Sequence, residues 1–284
     1  MILQKEIVAI STSKGIVKTT IDKDWALGHF IDAIFSINEL RENLIFKGGT
    51  CLKKCYLPDY RFSEDLDFTS KKPDFKLTQN HLNEISRLVK ERVGMLTFTE
   101  SLKDLIYKDQ HVGFEAMIKF WGADHPRNET PPPPERWQTK IKIEIILYEL
   151  MIFPFQERDI SHEYSDNLTV NSKQISCYSI LEVLSEKMRS LVQRSYTAPR
   201  DLYDLWFLSG KYKDIDLKAL RDAFIRKMEY KGYIFTGIEQ LINPDNDRKL
   251  KMAWKNSLAH QLSGKLTDYE TVKQTLVDWF NSFL

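Results

Sequence analysis

The stretch FKGGTCLKKCYLPDYRFSEDLDF, residues 46–68, decides how this chain folds. An apolar run, Leu44-Ile45-Phe46, stops at Gly48-Gly49, the pattern of a strand entering a tight turn. Thr50 to Tyr56 reads as a short helix, Pro58-Asp59 as a break, and Phe62 to Phe68 as a second strand. Side chains on a strand alternate faces, so Asp65 and Asp67 project together while Leu66 and Phe68 pack behind them. Two neighbouring carboxylates repel unless a cation or donor lies between them. A hard divalent ion, with water and substrate phosphates in its other positions, meets that need. The glycines let backbone amides approach a phosphate, and the helix after them points free N–H groups at it. Alone, the acid pair reads as a solvated strand end and the glycines as an ordinary turn. Together they hold phosphate oxygens on amides and a bridging ion on carboxylates, as nucleotidyl transfer requires.

Upstream, Asp22-Lys23-Asp24 precedes a helical stripe of Trp25, Leu27, Phe30, Ile31, Ile34 and Phe35, so the chain to about Asn43 is expected to be helical. Downstream, Leu82 to Leu96 is an amphipathic helix by pattern. His111 to Phe120 and Thr139 to Leu147 both alternate, which predicts an antiparallel hairpin with Ile141, Ile143 and Ile145 on its hidden face. Residues 122–138 between them hold Pro131 to Pro134, a stiff exposed connector. On the other face of the second hairpin strand, Glu144 is a candidate third carboxylate to activate the attacking hydroxyl; the alternative is a solvated face with Lys140 and Lys142. From Ser179 onward helical periodicity takes over, through to the stripe of Leu276, Val277, Phe280 and Leu284. In that half Ile180, Leu184, Lys187, Leu191 and Arg194 share one helix face. A lysine on such a stripe needs a partner, and Asp201 or Asp204 can supply it. The expected organisation is a catalytic domain over 1–175 with N-terminal helices and a helical domain over 176–284.

Composition sets bounds. With 41 basic and 40 acidic residues the net charge is +1, so no global basic field captures nucleic acid. Three cysteines, Cys51, Cys55 and Cys177, exclude a disulfide framework and fit a reducing compartment. No second ligand pair accompanies Cys51 and Cys55 in sequence, and the histidines show no metal-ligand spacing, so buried thiols are expected. No apolar run has the length of a membrane span and no signal pattern opens the chain, so a cytoplasmic location is expected.

Phe46-Lys47-Gly48-Gly49-Thr50 followed by Arg61-Phe62-Ser63-Glu64-Asp65-Leu66-Asp67-Phe68 resembles the first motif of the AbiEii toxins. Glu186-Lys187 with Arg189 resembles that family's second motif, and Arg200-Asp201-Leu202-Tyr203-Asp204-Leu205 its third. Ile21 to Trp25 is similar to its N-terminal signature, and Lys142-Ile143-Glu144-Ile145 to its third-carboxylate strand, with glutamate in place of aspartate. The resemblance covers the chain to about Leu208. It implies an α+β fold, a polymerase-β-like palm with a mixed sheet followed by a C-terminal helical bundle. It implies a nucleotidyltransferase toxin of type IV toxin–antitoxin, abortive-infection and phage-defence systems, with an antitoxin encoded nearby. The substrate would be an NTP, GTP or a pyrimidine NTP, with Mg2+ or Mn2+, and the acceptor the tRNA 3′ end. A protein or small-molecule acceptor, or NTP binding without catalysis, are the alternatives. Asp65, Asp67 and Glu144 would hold metal, with Lys187 and Asp204 completing the catalytic set. Lys47, Gly48, Gly49, Thr50, Ser63, Lys187, Arg189 and Asp201 would bind nucleotide. A tRNA acceptor needs a basic surface, for which Lys53, Lys54, Lys71, Lys72, Arg189, Arg194, Arg226 and Lys227 are candidates.

Overall fold

The computed structural model describes residues 1–169, 175–193 and 198–284. They form two compact units, residues 1–149 with 155–178, and residues 150–154 with 179–284.

The first unit opens with the expected helices, α1 (Gln4–Lys14), α2 (Lys18–Ser36) and α3 (Asn38–Asn43). Trp25, Leu27, Phe30, Ile31, Ile34 and Phe35 of α2 all lie in the hydrophobic core. So do its polar flanks, because Asp22, Asp24 and Asp32 are buried as well. A helix covered on every side belongs to the core, and its acids are tolerated only if bonded. Asp22 accepts the Ala123 amide at 2.6 Å, Asp24 pairs with Lys54 at 2.7 Å, and Asp32 with Arg92 at 2.9 Å.

The sheet is mixed and seven-stranded. It holds β1 (Leu44–Lys47), β2 (Asp65–Ser70), β3 (Leu96–Tyr107), β4 (Gln110–Trp121), β5 (Lys140–Ile146), β6 (Gln156–Arg158) and β7 (Ile175–Cys177), in the order β3-β4-β5-β2-β1-β7-β6. The β2–β5 and β1–β7 pairs are parallel and the others antiparallel. Between β1 and β2 run α4 (Gly48–Cys51) and a π-helical turn, Leu52–Tyr56. Helix α5 (Gln79–Val93) then buries Leu82, Ile85 and Val89.

The predicted hairpin is present as β4 and β5, with Ile141, Ile143 and Ile145 opposite Ile118, Ala116 and Phe114. Its connector is better anchored than an exposed loop. Trp137 is buried and its indole N–H donates to the Pro132 carbonyl at 2.8 Å, while Trp121 stacks on His125 at 3.5 Å. The second strand begins at Asp65 rather than Phe62; Arg61 is buried and donates to the Phe62 carbonyl at 3.3 Å, which keeps that approach irregular. Strand β3 is unannounced in sequence. It lies at the sheet edge, with no residue buried and register shifts between Thr99 and Ser101 and between Leu105 and Ile106, so no single face is apolar.

The second unit is helical: α6 (Ile180–Gln193), α7 (Pro199–Lys211), α8 (Leu217–Tyr230), α9 (Pro244–Leu258) and α10 (Tyr269–Asn281). Helix α6 packs on α7 and α8, and α7 on α9 and α10. On the α6 stripe Leu184 and Leu191 are buried, as is Lys187 between them; Arg194 lies outside the described residues. Among those residues no helix is long and apolar enough to cross a membrane.

Candidate active site

Strand pairing assembles the acids of the first unit. On β2, Asp65 and Asp67 share a face and are half-buried, while Leu66 and Phe68 are fully buried behind them. The parallel register places Lys142 beside Asp65 and Glu144 beside Asp67. The antiparallel registers add Lys47 on one side and Glu115 on the other, so Lys47, Asp67, Glu144 and Glu115 form one row across four strands. With strands about 4.8 Å apart, neighbouring carboxylates in such a row interact directly. Burial first, then Glu144 and Asp65, pushes the Asp67 carboxyl up to about 6, against the opposing pull of Lys142 and Lys47. Lys142 is ion-paired with Glu144 at 3.1 Å. Burial works against its charge, but Glu144, Asp65 and Asp67 outweigh it and hold the ammonium above its ordinary value. Sequence reading placed Lys142 only on a solvated strand face and missed it as the counter-charge of this cluster. Its position among the acids follows from parallel pairing, which has no local sequence signal.

The turn before α4 meets the same cluster. Gly48 has φ +81°, and a β-carbon there would overlap Asp67 Oδ2. The Asp67 carboxylate therefore rests directly on the Gly48 backbone. Gly49 is equally confined: an added β-carbon would lie 2.8 Å from both Arg61 Nη2 and Ser63 Oγ. The first amides of α4 have no acceptor within their own helix, and Lys47 at the N-cap is extended and has no side-chain acceptor to offer. Thr50 is buried and its hydroxyl donates to the Asp65 carbonyl at 2.5 Å. That hydroxyl ties α4 to β2, which leaves the Thr50 backbone amide, not its side chain, for a ligand. Lys47 is buried, with Nζ 5.5 Å from the Tyr178 ring centroid.

Gly48→Ala is expected to lower stability by about 1–3 kcal/mol through backbone strain and to cut turnover by about 10²-fold through displacement of Asp67. Gly94 also has positive φ, +71°, but nothing lies within 4 Å of its added β-carbon. Gly94→Ala should therefore lower the melting temperature with no loss of turnover; equal activity losses in the two variants would refute the displacement.

In the second unit, Lys187 Nζ pairs with Asp201 at 2.8 Å and Asp204 at 2.6 Å, both buried. Either aspartate was expected to serve, and both do. Arg189 is buried and hydrogen-bonds Gln193. Burial also removes four of the eight cations of the expected basic surface. Lys53, Lys54, Arg189 and Lys227 are all buried; Lys53 donates to the Pro58 carbonyl and Lys54 to Asp24. Lys71, Lys72 and Arg226 are exposed.

The donor set is hard. Three carboxylates, Asp65, Asp67 and Glu144, lie on one face beside a glycine turn, a donor set of the kind a hard divalent cation takes, although their oxygens do not all lie within 4.8 Å of one another. The fit is supported by Asp67 itself, an acid whose charge its own surroundings oppose.

A family model described as nucleotidyl transferase AbiEii toxin, type IV TA system, matches residues 29–277. Among solved structures the chain is similar to MenT4, a nucleotidyltransferase toxin from Mycobacterium tuberculosis H37Rv, at 17% identity and a TM-score of 0.65, covering 96% of this chain and 88% of that one. It is also similar to a protein from H. pylori assigned as a nucleotidyltransferase, at 19% identity and a TM-score of 0.50, covering 91% and 94%. At these identities the two structures speak for the fold. No curated protein matches the chain.

Proposed function

Since this chain belongs to the AbiEii nucleotidyltransferase toxin family, we propose that it transfers a nucleotide from an NTP to a hydroxyl, with Asp65, Asp67 and Glu144 holding Mg2+ or Mn2+. Membership implies an NTP substrate and a cognate antitoxin. The observation that carries the site assignment is the contact of Asp67 with the Gly48 turn, with Glu144 on the adjacent strand. A bound divalent ion supplies charge neutralisation on phosphate oxygens and acidifies the attacking hydroxyl. The chain's own groups do the rest. The amides of Gly48, Gly49 and Thr50 hold phosphate oxygens, with Ser63 and Lys47 beside them. Glu144 accepts the proton of the attacking hydroxyl, and Lys142 balances the carboxylates. Lys187, steadied by Asp201 and Asp204, is assigned to the triphosphate, with Arg189 as its neighbour on α6.

The acceptor assigned is the tRNA 3′ hydroxyl, by family likeness. Lys71 and Lys72, exposed on the first unit, are assigned to its phosphates. The test is incubation with each α-labelled NTP, Mg2+ and total RNA or protein, followed by nuclease or protease digestion. Label is expected in tRNA and lost on nuclease treatment. Asp65→Ala, with an unchanged circular dichroism spectrum, should transfer none, and Lys187→Ala tests the triphosphate assignment in the same assay. Full labelling by Asp65→Ala would overturn the site. Protease-sensitive label would move the acceptor to protein, and Mg2+-dependent NTP binding without pyrophosphate release would leave a binding protein.

A further inference from the structure

The three cysteines do not remain separate in the fold. Cys51 ends α4, Cys55 lies in the π-helical turn that follows, and Cys177 is the last residue of β7. Cys177 pairs in register with Phe46 of β1, the strand that leads into α4, so the sheet carries it to the other two. All three sulfurs lie within 4.8 Å of one another, and all three residues are buried and free of disulfides. In a planar site with sulfur about 2.3 Å from the ion, three thiolates stand about 4 Å apart. The cluster is therefore already near the spacing that an ion imposes.

Two features of the surroundings bear on the cluster. Arg158 Nε donates to the Cys55 carbonyl at 3.3 Å, so a guanidinium stands beside the cluster. Cys55 also sits in a π-helical turn, a rare geometry that recurs at functional sites. Among the described residues, no histidine, aspartate or glutamate joins the group as a fourth ligand. Three sulfurs without a fourth donor, closed from water, suit a soft ion of low coordination number, for which thiolate selects Cu+ and then Zn2+.

The geometry points to a three-thiolate site for a soft cation at Cys51, Cys55 and Cys177, separate from the carboxylate site and independent of the transferase reading. Binding releases the thiol protons and forms three metal–sulfur bonds, with no change of oxidation state.

Native mass spectrometry of the full chain, purified under reductant without added metal and titrated with Cu+ or Zn2+ in separate arms, tests this. One ion per chain is expected, with Cu+ held more tightly than Zn2+. Cys51→Ser, Cys55→Ser and Cys177→Ser should each weaken binding on the order of 100-fold, while Asp65→Ala should bind the soft ion as wild type does. Binding of neither ion, or binding indifferent to all three serine variants, would overturn the site. So would a wild-type chain two hydrogens lighter that takes up no ion, since that mass marks a disulfide. If a serine variant does not fold, wild-type melting decides: one equivalent of ion should raise the melting temperature, and an unchanged melt at saturating ion counts against the site.

Discussion

Asp67→Asn is expected to lower nucleotide transfer on the order of 10³-fold while leaving the melting temperature unchanged or higher at neutral pH. The two signs have one cause. Burial, Glu144 and Asp65 push the Asp67 carboxyl up to about 6, so above that pH its charge is held against its surroundings. Asparagine has the same shape, keeps the contact with Gly48, and removes the repulsion. It also removes the charge that the reaction needs. The pH dependence follows by linkage. Between the ordinary value of 3.8 and about 6 the folded chain binds more protons at Asp67 than the unfolded chain does, so this group's contribution to stability falls as pH rises through that window. Thermal melts below and above the window should show the Asn variant gaining on wild type as pH rises. A variant that loses activity and melts lower at every pH would make Asp67 a structural acid instead.

The site's parts were legible where the chemistry is local. The alternation Asp65-Leu66-Asp67-Phe68 fixes which residues share a face, and the double glycine marks the turn, since both depend on neighbours in sequence. The same holds for Ile141, Ile143 and Ile145, whose burial follows from period two. What the sequence hid was settled by distant partners. Lys54 looks like a surface cation until α2 supplies Asp24 at 2.7 Å. Cys177 looks solitary until β7 pairs with β1. His29, His162 and Asp166 have no ligand spacing, yet Asp166 accepts from His162 at 2.9 Å and from His29 at 3.2 Å. Strand β3 was hidden for the opposite reason: an edge strand with both faces partly wet shows no period at all. Burial of charge, unlike burial of isoleucine, is a property of the pair, and a single sequence shows pairs only when they are close along the chain.

Lys227 is the extreme case, and it carries the largest expected effect on stability. Its side chain and that of Glu182 are both 0% exposed, 2.6 Å apart, within the helical unit. Both side chains also have backbone partners. Glu182 Oε2 accepts the amides of Ile152 at 3.1 Å and Phe153 at 2.8 Å, and Lys227 donates to the Leu150 carbonyl at 2.6 Å. The pair thus ties residues 150–154 between α6 and α8. Lys227→Met keeps the length of the stem but leaves Glu182 as a buried, uncompensated carboxylate, which is expected to cost about 3–5 kcal/mol. Glu182→Gln alone strands the ammonium and should cost a similar amount. The double variant should be far less destabilised than the sum, because a neutral amide still accepts the two backbone N–H groups and methionine fills the space of lysine. Urea melts of the four proteins measure the coupling. Additive costs would mean that the two side chains do not depend on each other. A cost below about 1 kcal/mol for Lys227→Met, the range of an exposed pair, would return Lys227 to the surface, where its sequence had placed it.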